Sequence, residues 1–359
     1  MNRVHNFSAG PATLPLEVLQ VVQRDLVDYK GKGLSVMEMS HRSPEYQEII
    51  DSANATLKRI MGLDDDFEVL FLQGGASTQF LMVPLNFSQE HNGETNYIDT
   101  GSWSRAAIKE SNLLGRKTVV VASSKDEDYT CIPKNISTTD NAKYLHFTSN
   151  NTIAGTQFKS IPDVKIPLIS DMSSDFLSRP LDFNKFSLIY SGAQKNIGPA
   201  GCCVVTIRKS FVETANKNLS TMVSYKTHID KGSMFNTPPT FSIYVIGLVL
   251  KWIENLGGLK EIEKINIDKA KVLYDMLDSS DFYKGTVEIE DRSLMNIPFR
   301  LPTEELEAKF ISESKGKNMF NLKGHRSVGG CRASIYNAMP KSSVQYLVDF
   351  MKKFELENK

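Results

Sequence analysis

Residues 186–201 read FSLIYSGAQKNIGPAG, and this stretch decides the fold. An apolar run ends at Ser191-Gly192, a single lysine (Lys195) follows, and a Gly-Pro-Ala-Gly turn leads into CCVVTI at 202–207. Too few residues separate the two apolar runs for a helical crossover, so we expect them to pair as antiparallel strands. Lys195 then lies at the rim of a sheet, where the ligand sites of α/β proteins occur.

Lys195 is the first candidate for chemistry. A lysine at the end of a buried strand favours its neutral amine, because desolvation penalises the charged form. A neutral amine can form a Schiff base with a carbonyl, which is the chemistry of lysines that bind pyridoxal phosphate. The alternative is an ordinary solvated lysine, the commonest state of this residue. The two apolar runs on either side of Lys195 favour the chemical interpretation.

Composition indicates an ordinary globular protein. The 359 residues suffice for one large and one smaller domain, with 41% hydrophobic and 23% charged residues. The 42 basic and 42 acidic residues give a net charge of zero, so we expect no nucleic-acid or membrane partner. Residues 1–10 lack the apolar core of a signal peptide, and the apolar stretch 244–253 is too short to span a bilayer. We expect a cytoplasmic protein.

Strands and helices alternate through the first two-thirds of the chain, which predicts a mostly parallel sheet with helices on both faces. With the hairpin around Lys195, the sheet has seven strands. The five further predicted strands are 68–72, 96–99, 117–122, 143–148 and 165–170.

The pattern changes after about residue 240, which predicts a smaller α+β domain at the C-terminal end. We place the boundary at Gly257-Gly258, giving an N-terminal segment (1–15), a large domain (16–257) and a small domain (258–359). The predicted helices are 242–255, 259–279, 302–314 and 342–354, and the predicted strands lie within 286–300 and 331–336.

Several predicted strands end in polar or glycine-rich turns, and in a parallel sheet these ends share one edge. Gly74-Gly75-Ala76-Ser77 lies between a strand and a helix, where backbone amides and the Ser77 hydroxyl can hold a phosphate. The alternative is a tight turn with Ser77 as helix cap. Neither the P-loop nor the dinucleotide-binding fingerprint is present in the sequence.

Three further strand ends carry side chains that suit a pyridine cofactor. The Asp171 carboxylate can pair with a protonated ring nitrogen, and its alternative role is a turn or cap residue. The Trp103 ring can stack on a planar group, unless it is a core tryptophan. The Thr152 hydroxyl can bind the phenolic oxygen, unless it is an ordinary loop hydroxyl.

Three basic groups remain, namely His41-Arg42, His325-Arg326 and Arg332. Arginine is the usual bidentate partner of carboxylate and phosphate. Although single surface charges are usually only solvated, two His-Arg pairs in glycine- and serine-rich loops suggest a substrate with both a phosphate and a carboxylate. The four cysteines have no metal-binding spacing, so we predict no metal site and reduced thiols.

At this point the chain resembles the phosphoserine aminotransferases, which are class V, fold-type I enzymes dependent on pyridoxal phosphate. The resemblance extends over essentially the whole length, and its most specific motif is SGAQKNIGPAG at 191–201. The other matching stretches are NFSAGPA (6–12), MEMSHRS (37–43), FLQGGAS (71–77), NTPPT (236–240) and residues 324–336.

The resemblance implies how the cofactor is held. Lys195 binds it covalently, and Asp171 contacts the pyridine nitrogen; these two are the expected catalytic residues. Trp103 stacks on the ring, and Thr152 lies at the phenolic side. Ala76, Ser77 and Gln194 hold the phosphate, together with Asn236 and Thr237 from the second subunit of a homodimer.

The resemblance also implies the reaction: L-glutamate donates its amino group to 3-phosphohydroxypyruvate, a phosphorylated 2-oxo acid, which gives O-phospho-L-serine. This is a step of L-serine biosynthesis, and 4-phosphohydroxythreonine of pyridoxine biosynthesis is a further expected substrate. Arg332 binds the α-carboxylate. His41, Arg42, His325 and Arg326 bind the phosphate, the first two from the partner chain.

One position departs from part of the family: residue 77 is serine where some members have arginine, so one positive charge near the cofactor phosphate is missing. Two other hypotheses stay open. One is a different class V reaction, such as alanine–glyoxylate transamination or cysteine desulfuration with Cys331 as the thiol. The other is a phosphate- or nucleotide-binding protein without Schiff-base chemistry, and a purely structural module fits the polar strand ends least.

Overall fold

The computed structural model describes residues 3–89 and 93–359, in which short strands and longer helices alternate. The strands are β1 (His5–Asn6), β2 (Phe67–Leu72), β3 (Glu94–Asp99), β4 (Thr118–Ser123), β5 (Ala142–Thr148), β6 (Leu168–Asp171), β7 (Leu188–Gly192), β8 (Cys203–Arg208), β9 (Lys284–Gly285), β10 (Asn296–Arg300), β11 (Met319–Phe320) and β12 (Cys331–Ser334). The α-helices are α1 (Leu16–Asp25), α2 (Pro44–Met61), α3 (Gly75–Phe87), α4 (Ser102–Leu113), α5 (Lys209–Val212), α6 (Tyr225–Asp230), α7 (Thr240–Asn255), α8 (Leu259–Asp278), α9 (Glu304–Gly316) and α10 (Lys341–Asn358).

A seven-stranded sheet with the order β2-β8-β7-β6-β5-β3-β4 organises the chain up to α7. Strand β8 is antiparallel to both β2 and β7, and every other pairing in this sheet is parallel. The predicted mostly parallel sheet is thus confirmed. The predicted hairpin is β7–β8, in which Tyr190 lies opposite Val205 and the turn carries Lys195.

Each face of the sheet is covered by helices. Helices α2 and α7 pack against each other and cover one face, where Phe71, Leu145 and Val204 belong to the core. Helix α3 covers the other face, against residues such as Tyr190 and Val205. Because strand residues alternate between faces, both sides of the sheet can bury apolar side chains at once.

The structure differs from the predicted elements in three places. The connection from β6 to β7 contains turns and the 3₁₀ turn Phe183–Lys185 instead of the α-helix that strict alternation would give, and it carries four serines and one proline. Strand β6 begins only at Leu168, directly after Pro167, which has no N–H to donate to a neighbouring strand. In the predicted strand region 286–300, only Asn296–Arg300 is a strand, and a 3₁₀ turn occupies Ile289–Asp291.

A second sheet, β12-β10-β9, is antiparallel and packs with α8, α9 and α10 around a separate aromatic core. Phe7 belongs to this core, and β1 pairs with β11, so the N-terminal segment packs on the C-terminal part. Helix α8 belongs to both parts, because Leu259 packs in the first core and Leu273 in the second. The division at residue 257 stays a prediction.

Within the described ranges 3–89 and 93–359, no single helix has the length and apolarity to cross a membrane. The sharply bent pair α7–α8 meets both criteria only when its two helices are taken together.

A buried chain of polar side chains joins the two parts. The Asn150 amide donates to Asn296 Oδ1 (2.8 Å), and the Asn296 amide donates to the Ser334 and Tyr336 hydroxyls at 2.9 and 3.1 Å. The Tyr336 hydroxyl donates onward to the Ala9 carbonyl at 2.8 Å. Asn296 is fully buried, so each of these groups depends on its partner rather than on water.

We expect Asn296→Ala to lower the free energy of unfolding by about 2 kcal/mol, because Asn150 and Tyr336 lose buried partners. Urea unfolding followed by tryptophan fluorescence measures the change. The control is Asn135→Ala, because Asn135 is exposed. Equal stability of the two variants would contradict the structural role of this polar chain.

Candidate active site

The N-terminus of α3 forms one wall of a cavity at the carboxyl edge of the sheet. Gly74 and Gly75 both have positive φ, +85° and +65°, which glycine adopts at little cost. The Thr78 hydroxyl donates to the Gly74 carbonyl at 3.0 Å and fixes the turn. The backbone amides at Ala76 and Ser77 therefore begin a 13-residue helix, a position that suits an anion.

Asp171 ends β6 at the same edge and is almost fully buried. Its Oδ1 accepts a hydrogen bond from the Ser173 backbone N–H at 2.9 Å, and the Ser173 hydroxyl accepts from Gly192 N–H at 3.0 Å. Burial raises the pKa of the Asp171 carboxyl, against the opposing effects of the Ser173 hydrogen bonds and the nearby Lys195. A positive partner in the cavity would stabilise this carboxylate.

Lys195 follows β7 in the hairpin turn, and its Nζ donates to Thr152 Oγ1 at 2.9 Å. Removal of the amine from water lowers the pKa of Lys195 to about 8; Arg332 also lowers it, and Asp171 opposes the shift. Gly10 packs closely against the lysine stem, since a Cβ there would lie 3.3 Å from Lys195 Cγ. The amine is therefore held in place and is partly neutral near neutral pH.

These groups surround a cavity of about 270 Å³. The Thr148 hydroxyl is buried, lines the cavity and has no hydrogen-bond partner in the protein. The lining residues are Gly74, Gly75, Ala76, Ser77, Phe80, Trp103, Thr148, Asn150, Thr152, Asp171, Ser173, Ser174, Gln194 and Lys195. The cavity thus combines a helix N-terminus, a buried carboxylate, a lysine and an indole.

Trp103 lies in the first turn of α4 and is 38% exposed, so it is not a core tryptophan. The turn before it is held by Ser104, whose hydroxyl accepts from the N–H groups of Thr100 and Gly101, both at 3.0 Å. The Lys195 amine lies 5.6 Å from the centre of the Trp103 ring. The ring therefore borders the space in front of the lysine.

Arg332 reaches the same point from β12. Its Nη1 donates to the Thr152 carbonyl at 3.0 Å, while the Thr152 hydroxyl accepts from Lys195. Burial lowers the pKa of Arg332, but an arginine keeps its charge at any ordinary pH. A guanidinium and an amine thus meet at one threonine, an arrangement that suits the binding of a carboxylate beside a reacting amino group.

The loop before β12 carries His325 and Arg326. The hydroxyl and the backbone N–H of Ser327 lie 2.7 and 3.3 Å from His325 Nδ1, so Ser327 orients the imidazole ring. Burial and the neighbouring Arg332 and Arg326 lower the pKa of His325. His325 is therefore close enough to Arg332 for the guanidinium charge to disfavour a charged imidazole. Arg326 is the next residue and is exposed.

His325, Arg326 and Arg332 approach the cavity without lining it, and four further predicted residues lie elsewhere. His41 and Arg42 precede α2, whose first turn is capped by Ser43, and neither lines the Lys195 cavity in the part of the chain described. Asn236 donates to Gln73 Oε1 at 2.9 Å, and Gln73 donates to the Thr237 carbonyl at 3.0 Å. These two residues lie behind the Gly74 turn, outside the cavity.

Sequence reasoning missed the polar groups Thr148, Asn150, Ser173 and Ser174, which also line the cavity. Each lies within three residues of the end of β5 or β6, so the rule that strand ends converge would have found them. The sequence places Gly10 only within the NFSAGPA motif, whereas its contact with Lys195 is a feature of the tertiary structure.

The family model of the class-V aminotransferases matches residues 4–347 of the chain. The phosphoserine aminotransferase of Desulfosudis oleivorans is 53% identical over 358 residues, with 99% of each chain covered. The chain belongs to the phosphoserine aminotransferase family. The predicted resemblance is thereby confirmed.

Solved structures of family members have the same fold. The phosphoserine aminotransferase from Bacillus circulans subsp. alkalophilus is 50% identical, superposes with a TM-score of 0.97 and covers 99% of both chains. The phosphoserine aminotransferase from Trichomonas vaginalis, solved with bound pyridoxal phosphate, is 38% identical with a TM-score of 0.93, covering 98% of this chain and 100% of that one. The predicted fold type is therefore confirmed.

We expect Lys195 in the cofactor-free protein to lose its proton with a midpoint near pH 8. Asp171→Asn should move this midpoint to lower pH, because the carboxylate that favours the ammonium form is removed. Competitive labelling with acetic anhydride across a pH series, read by peptide mass spectrometry, measures both values. A midpoint near the ordinary lysine value of about 10.4 would contradict the burial argument.

Proposed function

We propose that the protein transfers the amino group of L-glutamate to 3-phosphohydroxypyruvate, giving O-phospho-L-serine and 2-oxoglutarate (phosphoserine transaminase, EC 2.6.1.52). The observation that carries this proposal is the meeting of Lys195 and Arg332 at Thr152. It places a proton-accepting amine beside a carboxylate-binding arginine, as the chemistry of α-amino acids requires. Family membership supports the substrates and a place in L-serine biosynthesis.

The residues of the cavity fit pyridoxal phosphate. Asp171 suits the pyridine nitrogen, and Ala76, Ser77 and Gln194 suit the phosphate; the unpartnered Thr148 hydroxyl and the raised pKa of Asp171 both favour a polar, partly cationic occupant. When bound, the cofactor withdraws electrons from the carbon that bears the transferred amino group. The other predicted contacts are Trp103 with the ring and Thr152 with the phenolic side.

Lys195 is the proposed base. Its pKa of about 8 leaves part of the amine neutral at neutral pH, close to the optimum for proton transfer. The amine would take the proton from the substrate Cα and deliver it to C4′ of the cofactor, on the other side of the transferred nitrogen. Thr152 orients this amine through its hydroxyl, which lies 2.9 Å from the Lys195 Nζ.

Arg332 is the proposed ligand of the substrate α-carboxylate. Only one of its nitrogens is used by the Thr152 carbonyl, so the guanidinium keeps donors for a carboxylate. Because Thr152 also contacts Lys195, a carboxylate on Arg332 is held within reach of the amine. This arrangement orders substrate and base together.

His325 and Arg326 are the proposed ligands of the substrate phosphate on this chain. We infer a homodimer in which His41 and Arg42 of one subunit complete the phosphate site of the other, and in which Asn236 and Thr237 reach the other cofactor phosphate. Their position outside the Lys195 cavity of their own chain is consistent with this. Serine at position 77 removes one charge, so backbone amides carry more of the phosphate binding.

A cysteine desulfurase is the less favoured alternative, since it needs a mobile, reactive thiol. Cys331 is 1% exposed and begins β12, and burial raises the pKa of its thiol.

The four free cysteines are consistent with a cytoplasmic location, which we also propose. We include 4-phosphohydroxythreonine as a second substrate, because it presents the same phosphate and α-carboxylate.

Addition of O-phospho-L-serine to the holoenzyme should abolish the visible absorbance band of the bound cofactor. L-Serine at the same concentration should leave the band unchanged, because it lacks the phosphate that His325 and Arg326 bind. Lys195→Ala should abolish turnover, since the proton-transfer amine is lost. An absorbance band that does not change when phosphoserine is added would contradict the proposed substrate. Substantial turnover by Lys195→Ala would contradict the proposed base.

Mixed dimers test whether the site is shared between subunits. Lys195→Ala and Arg42→Ala homodimers should both be inactive towards phosphoserine. After unfolding and refolding an equal mixture, about a quarter of the wild-type activity should return, because half of the dimers then contain one intact site. No recovery would contradict the contribution of Arg42 from the partner chain. Refolded wild-type protein sets the reference value.

A further inference from the structure

The loop that carries His325 and Arg326, here called the phosphate loop (residues 324–330), is shaped by its own hydrogen bonds. Gly324 N–H donates to the Gly330 carbonyl at 2.8 Å, and Gly329 N–H donates to the His325 carbonyl at 2.9 Å. These bonds close the loop on itself. They fix its internal shape, but they do not fix its position relative to the site.

Few side chains pack against the side of the phosphate loop that faces α4, because a cavity lies there. A cavity of about 510 Å³ separates it from α4 and the neighbouring turn. On one side the cavity is lined by Trp103 and Tyr129, and on the other by Ser327, Val328 and Gly329. Backbone contacts anchor the two ends of the loop, namely the Lys323–Cys331 bridge and the Arg332 N–H, which donates to the Leu322 carbonyl at 2.8 Å. Because open space replaces packed side chains below the rest of the loop, the position of its tip depends on specific tethers.

Arg300, the last residue of β10, supplies such a tether. Its Nη1 donates to the Val328 carbonyl at 3.0 Å, and its Nε donates to Glu307 Oε1 at 2.6 Å. The Glu307 side chain is 8% exposed, and its Oε1 also accepts from the Leu301 N–H at 3.3 Å. The arginine therefore connects the loop to a buried carboxylate on α9.

Two glycines make room for this side chain. Gly329 and Gly330 both have positive φ, +70° and +69°. A Cβ on Gly330 would lie 2.7 Å from Arg300 Cδ and 3.0 Å from the Phe299 carbonyl oxygen. The glycine pair thus lets the loop backbone approach the arginine at a distance that a side chain would prevent.

We propose that Arg300 is a positioning residue that holds the phosphate loop over its cavity and so determines the preference for phosphorylated substrates. The inference rests on the proposed function, in which His325 and Arg326 bind the substrate phosphate. Arg300 acts through Val328 and does not bind substrate. Arg332 lies in β12 and is held by Thr152, so the α-carboxylate site does not depend on this tether.

The test compares KM for O-phospho-L-serine with KM for L-glutamate in the holoenzyme. Arg300→Gln should raise the KM for phosphoserine about tenfold, the effect of about one charge-assisted hydrogen bond, while the KM for glutamate changes less than about twofold. Arg300→Lys should give an intermediate increase for phosphoserine, because a single ammonium can keep Glu307 but cannot span both acceptors in the same geometry.

Arg292→Gln is the matched control. Arg292 forms a two-pronged pair with Asp278, both bonds at 2.7 Å, in the same part of the protein as Arg300. Loss of the Arg292–Asp278 pair should lower the thermal stability of the protein, as loss of the Arg300–Glu307 pair does. It should leave the ratio of the two KM values unchanged, because Arg292 has no bond to the phosphate loop.

Arg326→Ala distinguishes a failure of the proposed phosphate site from a failure of the proposed role of Arg300. If it raises the KM for phosphoserine selectively but Arg300→Gln behaves like Arg292→Gln, the role of Arg300 is overturned and the phosphate site stands. Equal increases of both KM values in Arg300→Gln also overturn it. If Arg326→Ala raises the KM for phosphoserine and the KM for glutamate equally, the proposed phosphate site is contradicted. The positioning role of Arg300 is then contradicted as well, because it depends on that site.

Discussion

The amine of Lys195 donates its hydrogen bond to the hydroxyl of Thr152, and Arg332 donates to the carbonyl of the same residue. Thr152 is buried, so both bonds form where water does not compete. The hairpin turn after β7 and the strand β12 must therefore meet at one loop. The fold satisfies this constraint by packing the small antiparallel sheet against the carboxyl edge of the large one.

The residues at this edge could largely be predicted, because their position follows from one rule. Parallel strands end on the same side, so Asp171 after β6, Thr152 after β5 and Trp103 after β3 had to converge. Lys195 was found by its setting between two apolar runs. The same rule also covers the Ser173 and Thr148 hydroxyls, which lie at the ends of β6 and β5, although their residue types alone do not distinguish them from ordinary turn residues.

Long-range contacts could not be predicted in this way. The bond between Asn150 and Asn296 joins residues 146 positions apart, and nothing in either local sequence indicates the other. The same holds for Arg300, whose partner Val328 lies on a loop that local patterns describe only as basic and rich in glycine and serine. Local patterns within one chain also do not show which subunit a residue serves, so the expected contribution of His41 and Arg42 to the partner's site comes only from the family resemblance.

The pairing of β1 with β11, and the bond from Tyr336 to Ala9, have a consequence for the order of folding. Both contacts join residues more than three hundred positions apart, so closing them costs more chain entropy than closing a local turn. Gly10 follows Ala9 directly and packs against Lys195. We therefore expect this side of the pocket to form late, after the local strand–helix units of the large sheet.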